Sequence, residues 1–308
     1  MKKIALNILL FTSISSFAQQ QIGNSNMEAW ENVGSATEEP NNWNSFKTGT
    51  GGLSGFASKQ IERSTAIRSG ATGTYCARIY SVSILSAIAN GNMTLGQINM
   101  GSSTPTSSSN YNFSKTADAN FSEALTDQPD SIVFWVKYTP INSGDQARVH
   151  AILHDSYDFR DPIDANSVPH TVARAELNYS STNGVWVRKS IPFVYEGPAT
   201  VNAFILTTFT SSKTPGGGSA NDEVLIDDVE LIYNAVGLNE IQNATFKAYY
   251  SVENGLQIKG DATAKYEVVN LSGASEKTGN QAALTGLTLK SGMYFVKSAN
   301  AVVKVLVP

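Results

Sequence analysis

Ser131-Ile132-Val133-Phe134-Trp135-Val136-Lys137-Tyr138 alternates strictly, with Ile132, Phe134, Val136 and Tyr138 on one face and Val133, Trp135 and Lys137 on the other. A period of two in a run rich in β-branched and aromatic residues specifies a strand with one face in a core. Pro129 and Pro140 bracket it, where a missing backbone donor does least harm. The same reading extends outward. In Gly184–Tyr195, Val185, Val187 and Lys189 alternate against Trp186, Arg188 and Ser190, and Val201–Thr208 and Val224–Tyr233 supply further strands. Helical periodicity is almost absent. Many short strands punctuated by Gly, Pro, Asn and Ser predict an all-β chain whose main part is a jelly-roll-like two-sheet sandwich. Gly101–Asn110, nearly all Ser, Thr and Pro, and Thr214–Asn221, with its three glycines, read as mobile surface connections. Neither carries the Gly-Lys-Ser/Thr ending of a phosphate loop.

The first 18 residues predict export. Lys2 and Lys3 precede an apolar run from Ile4 to Phe11, and Ser16-Phe17-Ala18 gives a small-x-small cleavage pattern. That run is far shorter than the ~20 residues of a membrane span, and no later run approaches that length, so the mature chain is expected to carry no membrane span. Removing the two lysines from a chain of net charge −4 leaves −6. With no basic run, nucleic acid is excluded as a partner class. Cys76 is the only cysteine and can form no intramolecular disulfide; it reads as a small buried residue in a strand.

Composition marks a boundary. Every Trp, Arg, His and Cys lies before residue 190, and the last 71 residues carry seven Lys against five acids. The expected organisation is a signal peptide at 1–18, a sandwich at 19–234, a linker at 235–237 and a small immunoglobulin-like β-sandwich at 238–308. In that last part Gly255–Gly260, Tyr266–Gly273, Leu287–Lys297 and Val302–Val307 alternate. Val269–Gly273, Leu289–Lys297 and Lys304–Val307 resemble, in order and spacing, the three motifs of the type A sorting domain of the type IX secretion system of the Bacteroidota. Ala274 stands where that family often has Arg or Lys. The resemblance implies the type IX machinery as a partner of 238–308, and a protein that is secreted or attached at the outer-membrane surface.

The main part has its own resemblance. Asn26-Met27-Glu28-Ala29-Trp30, Pro40-Asn41-Asn42-Trp43 and Ile226-Asp227-Asp228-Val229-Glu230-Leu231 are similar to the ends of jelly-roll domains of the carbohydrate-binding-module kind. Pro129–Pro140 and Ser190–Tyr195 resemble the central and later strands of a Bacteroidota domain family named for a conjectured role in carbohydrate metabolism. Met27 replaces the usual Phe. The resemblance implies a structural calcium ion held by Glu28 and by Asp227 or Asp228. Without a metal, the carboxylate buried in that last strand needs backbone amides or an arginine such as Arg78. Strict alternation puts one of the two aspartates on the same face as Leu225, Val229 and Leu231.

Trp135 and Trp186 lie on the polar faces of their strands, beside Lys137 and Arg188. Sugar-binding sheets stack pyranose rings on such residues, so Trp135, Trp186 and Arg188 are the candidate carbohydrate platform; core packing is the alternative for each indole. Trp30 and Trp43 read as packing residues. The acidic stretch His154–Asp164 offers carboxylates for glycosidase-type acid/base work, or a solvated turn. No G-x-S-x-G, H-E-x-x-H or Cys/His constellation is present. The sequence thus predicts a non-catalytic, exported, glycan-binding or cell-surface protein. The alternatives are a glycan-active enzyme using 155–164 and an adhesive surface protein without a small ligand.

Overall fold

A computed structural model of the chain describes residues 19–84, 87–233, 246–298 and 301–307. The expected signal peptide (1–18) and linker (235–237) lie outside the described residues. Two compact units divide at Tyr233 and Asn234.

The larger unit is the sandwich. Its first sheet runs, in spatial order, Val187–Pro192, Ser131–Thr139, Glu223–Ile232, Cys76–Tyr80 and Ile61–Ser64. Its second sheet runs Glu123–Ala124, Phe204–Thr210, Ala147–His154 and Thr171–Tyr179, with Asn92–Thr94 also paired to Phe204–Thr210. All these pairings are antiparallel. Ile132, Phe134, Val136 and Tyr138 face the core as their alternation demands, opposite Val149, Ala151 and Phe209. Phe134 meets Phe209 edge to face at 5.1 Å, and Tyr138 meets Tyr179 at 5.8 Å. Such contacts add to the burial that drives the sheets together. Met27 and Trp43 are in the same core, and Trp30 packs against it. Cys76 is buried, which pushes its thiol up to about 12 and leaves it inert.

A third layer was not anticipated. Gln97–Met100, Asn110–Phe113 and Arg160–Asp161 form a small sheet, and Phe159 joins Ile152 and Leu206 in a separate apolar cluster. The second sheet is therefore covered on both sides here. Gly101–Asn110 and Thr214–Asn221 are tied into the structure rather than loose. Asn110 Oδ1 accepts from the amides of Gly101 and Ser102, and Asn90 bonds both Gly216 N and Gly217 O.

The last sandwich strand breaks its alternation. Val133 pairs with Glu230 but Trp135 pairs with Asp227, so Asp228 and Val229 together oppose Phe134. This is a β-bulge, with Asp228 at φ +45°. Val224 and Ile226 face the core before it, and Val229 and Leu231 face the core after it. Leu225 and Val229 thus lie on opposite faces, against the strict alternation read from sequence.

The C-terminal unit has a four-stranded sheet, Ser275–Gly279, Tyr266–Asn270, Gly292–Ser298 and Ala301–Val307, and a two-stranded one, Lys247–Ser251 with Gly255–Lys259. Tyr266, Val268, Val296 and Val305 are in its core. Its Asn270–Gly273 segment turns because Asn270 Oδ1 accepts from the amides of Ser272 and Ala274, with Gly273 at φ +79°. Among the described residues no helix is long and apolar enough to cross a membrane.

His154 is one acid-sensitive point of the fold. It is fully buried between Phe159 and Phe204, donates from Nδ1 to the Asp155 carbonyl at 2.7 Å, and accepts at Nε2 from Ser114 Oγ at 2.9 Å. Burial pushes its pKa down to about 4, against the pull of Asp155 and Asp158. The unfolded chain takes up this proton first, so the contribution is complete above ~6.5 and is lost as pH falls toward the folded value. Urea unfolding at neutral pH and at about pH 4.5 should show wild type losing about 2 kcal/mol more than His154→Gln; equal losses would assign the acid sensitivity elsewhere.

Candidate functional site

A cavity of about 280 Å³ opens where the third layer meets the outer face of the second sheet. Alternation along Ala147–His154 builds its floor: Ala147, Val149, Ala151 and Leu153 are core residues, so Arg148 and His150 project outward. From the neighbouring strand Thr208 and Thr210 project the same way, and Asn112 and Asp161 descend from the small sheet. These polar groups are held by one another. Asn92 Nδ2 donates to Asn112 Oδ1 at 3.0 Å, and Asn112 Nδ2 donates to Thr208 Oγ1 at 3.3 Å. The walls are apolar, with Phe46, Phe56, Ile88 and Met100 among them, and Tyr111 stands at the junction.

One charged chain crosses the floor. Arg148 Nε donates to Glu176 Oε1 at 2.7 Å, its Nη2 lies 3.5 Å from Asp161 Oδ1, and His150 Nδ1 lies 3.0 Å from the same oxygen. Asp161 is 2% exposed. Burial alone would raise its pKa, but His150 and Arg148 outweigh it and hold the carboxyl below its ordinary range. The group is a fixed anion at neutral pH.

The rest of the acidic stretch disperses. Asp155 pairs with His170 Nδ1 at 2.8 Å, Asp158 accepts from Thr116 N and Oγ1, and Asp164 accepts from the Ser167 amide. Among the described residues lining the cavity, Asp161 is the only carboxylate.

Trp135, Trp186 and Arg188 come together on the other side of the molecule. Trp135 pairs directly with Arg188 on the outer face of the first sheet, and Trp186 follows on the same face. Both indoles are half-buried and Arg188 is exposed. Residues 64–75 lie across this face: Arg68 Cζ sits 4.7 Å from the Trp135 ring centroid, and Trp186 Nε1 donates to Ala66 O at 3.1 Å.

The carboxylates expected to hold calcium lie beside that segment. Glu28 Oε1 accepts from the amides of Thr74 and Tyr75, both at 2.8 Å. Asp227 Oδ1 accepts from the Asp228 amide at 2.9 Å, and Asp228 Oδ2 is ion-paired with Arg68. Burial, then the Asp228 charge, pushes the Asp227 carboxyl up to about 7. Among the described residues no group of three or more His, Cys, Asp or Glu is placed to hold a metal ion. The arginine beside the pair is Arg68, not Arg78, which bonds Glu62 and Glu223.

Sequence reasoning missed the cavity because its residues come from six separated segments. The one local signal was Arg148 and His150 at outward positions of a strand that otherwise reads as apolar.

No protein-family model matches the chain, and no curated protein matches it. Eighteen chains of solved structure do. One is a candidate glycoside hydrolase from Bacteroides thetaiotaomicron, 20% identical, with a TM-score of 0.52 over 68% of this chain and 71% of that one. A second, described in the same words, comes from Bacteroides vulgatus, at 16% identity and a TM-score of 0.46, covering 67% and 90%. A third is TmCBM61 in complex with β-1,4-galactotriose, at 10% identity and a TM-score of 0.29, covering 57% and 83%. The first likeness is one of fold.

Removing one member of the floor's charged chain exposes its energetics. Arg148→Met leaves Asp161 buried without its guanidinium and should cost about 3–5 kcal/mol in urea unfolding. The double variant Arg148→Met/Asp161→Asn should recover at least about 1 kcal/mol of that; strictly additive losses would mean the two side chains do not interact.

Proposed function

We propose that this chain is an exported, non-catalytic glycan-binding protein acting at the cell surface, and that the cavity over the second sheet takes the sugar. The cavity's make-up carries the reading. A pyranose ring presents apolar C–H faces and a rim of hydroxyls, and here aromatic and aliphatic walls stand around a floor of amide, hydroxyl and guanidinium groups. The fold likeness to a chain described as a candidate glycoside hydrolase supports a carbohydrate-related role. Binding is favoured over hydrolysis because a glycosidase needs two carboxylates about 5–10 Å apart, one of them protonated. Asp161 is held ionised by Arg148 and His150 and has no second acid beside it among the described lining residues.

The second reading places the sugar on the Trp135, Trp186 and Arg188 face; the shared face of two half-buried indoles and an exposed arginine favours it. On either reading residues 1–18 are the export signal. Residues 238–308 are the sorting domain read by the type IX machinery, supported by the motif order and by the Asn270–Gly273 turn at the first motif.

A glycan array with the whole chain, followed by calorimetry on the best binder, tests this. Phe56→Ala and Tyr111→Ala should each weaken binding about tenfold or more, with Trp135→Ala and Trp186→Ala near wild type. The reverse pattern moves the site to the first sheet. No binder on the array removes the glycan reading, and reducing-sugar release abolished by Asp161→Asn makes the protein an enzyme.

A further inference from the structure

We infer that Arg68 is a built-in cation: its guanidinium bonds Asp228, beside Asp227, in place of calcium, and fastens residues 64–75 across the Trp135 face. Segment 64–75 connects the first sheet's two edge-side strands, Ile61–Ser64 and Cys76–Tyr80. It is held at both ends. Thr74 and Tyr75 give their amides to Glu28, and Ala66 accepts from Trp186. Between these ties, Arg68 bonds Asp228 Oδ2 through both Nε, at 3.2 Å, and Nη2.

The geometry suits a guanidinium better than a metal. Calcium asks for oxygens with free lone pairs converging at 2.3–2.6 Å. Here one oxygen of each acid already accepts N–H donors: two amides on Glu28, one on Asp227, the guanidinium on Asp228. A guanidinium is planar, permanently charged and weakly hydrated, so it can bond a carboxylate in its plane while its face lies over an indole. Arg68 does both, with Trp135 as the indole. The ion pair is largely shielded, at 17% and 16% side-chain exposure, so it keeps more of its strength than a surface pair would. The inference holds whichever face binds glycan.

The test is thermal unfolding of the whole chain in EDTA and in millimolar calcium. Wild type should melt within about 1 °C in the two conditions. Arg68→Ala leaves Asp228 without its cation, so it should melt several degrees lower than wild type in both conditions. Arg68→Lys, which keeps the charge, should fall between them and stay indifferent to calcium. A wild type that melts lower in EDTA than in calcium would overturn the inference, as would an Arg68→Ala variant that matches wild type in EDTA. Limited trypsin digestion decides the matter if Arg68→Ala fails to fold. Cleavage after Arg68 should be at least about tenfold faster in Asp228→Asn than in wild type, and equal rates would overturn the inference.

Discussion

Two adjacent aspartates sit in the middle of a central strand, and the strand changes register there to keep its apolar residues in the core. Glu223–Ile232 is bonded on both sides, to Ser131–Thr139 and to Cys76–Tyr80. If its alternation ran through unbroken, Asp228 would follow Val224 and Ile226 into the core, and Val229 and Leu231 would face outward. A lone carboxylate in that core would cost several kcal/mol. The extra residue opposite Phe134 prevents this. It returns Val229 and Leu231 to the core and leaves Asp227 beside Trp135 on the outer face, with Asp228 turned to Arg68. Asp tolerates the left-handed conformation that the bulge requires better than a β-branched residue does. The arrangement of Trp135, Arg68 and segment 64–75 follows from that one insertion.

The second sheet poses the opposite problem. Its inward face is ordinary core, but its outward face carries Arg148, His150 and His154 beneath a third layer. Buried polar groups must be mutually satisfied, and the solutions differ along the strand. His154 is kept neutral by aromatic stacking and two hydrogen bonds, while Arg148 and Asp161 remain charged as partners. The transition from neutral to ionic satisfaction coincides with the opening of the cavity. Where water can reach the floor, an ionised pair costs less to maintain.

The two sheets were legible because their strands are long enough for alternation to speak. Ser131–Thr139 places all four of its core residues correctly, and the four alternating runs of the tail each overlap an observed strand. The third layer was not legible. Gln97–Met100 and Asn110–Phe113 are four residues each, and Gly101–Asn110 between them is rich in Ser and Thr, which in composition looks like a loose loop. Its order comes from Asn110, whose side chain replaces backbone pairing, a role no composition reveals. The bulge was hidden for a related reason: nothing in Asp227-Asp228 says which residue takes the left-handed turn until Trp135 fixes the partner register. The same blind spot turned attention to Arg78, a strand residue already engaged by Glu62 and Glu223, instead of to Arg68 in a segment with no periodicity.

The two outer faces therefore differ in what a ligand would have to undo. On the first sheet, a sugar stacking on Trp135 must displace Arg68 from the ring, and one seated on Trp186 meets a segment bonded to that indole. Both contacts also hold residues 64–75, so binding there is charged with the cost of ordering or freeing a segment. In the cavity, Asn112, Thr208 and Arg148 are already fixed in place by neighbours and stand around an opening. Preorganised polar groups lose little entropy when a ligand arrives, and apolar walls gain from the water they release. On that balance the face with the more conspicuous aromatics would be the poorer binding surface, and the face whose chemistry is spread over six segments the better one.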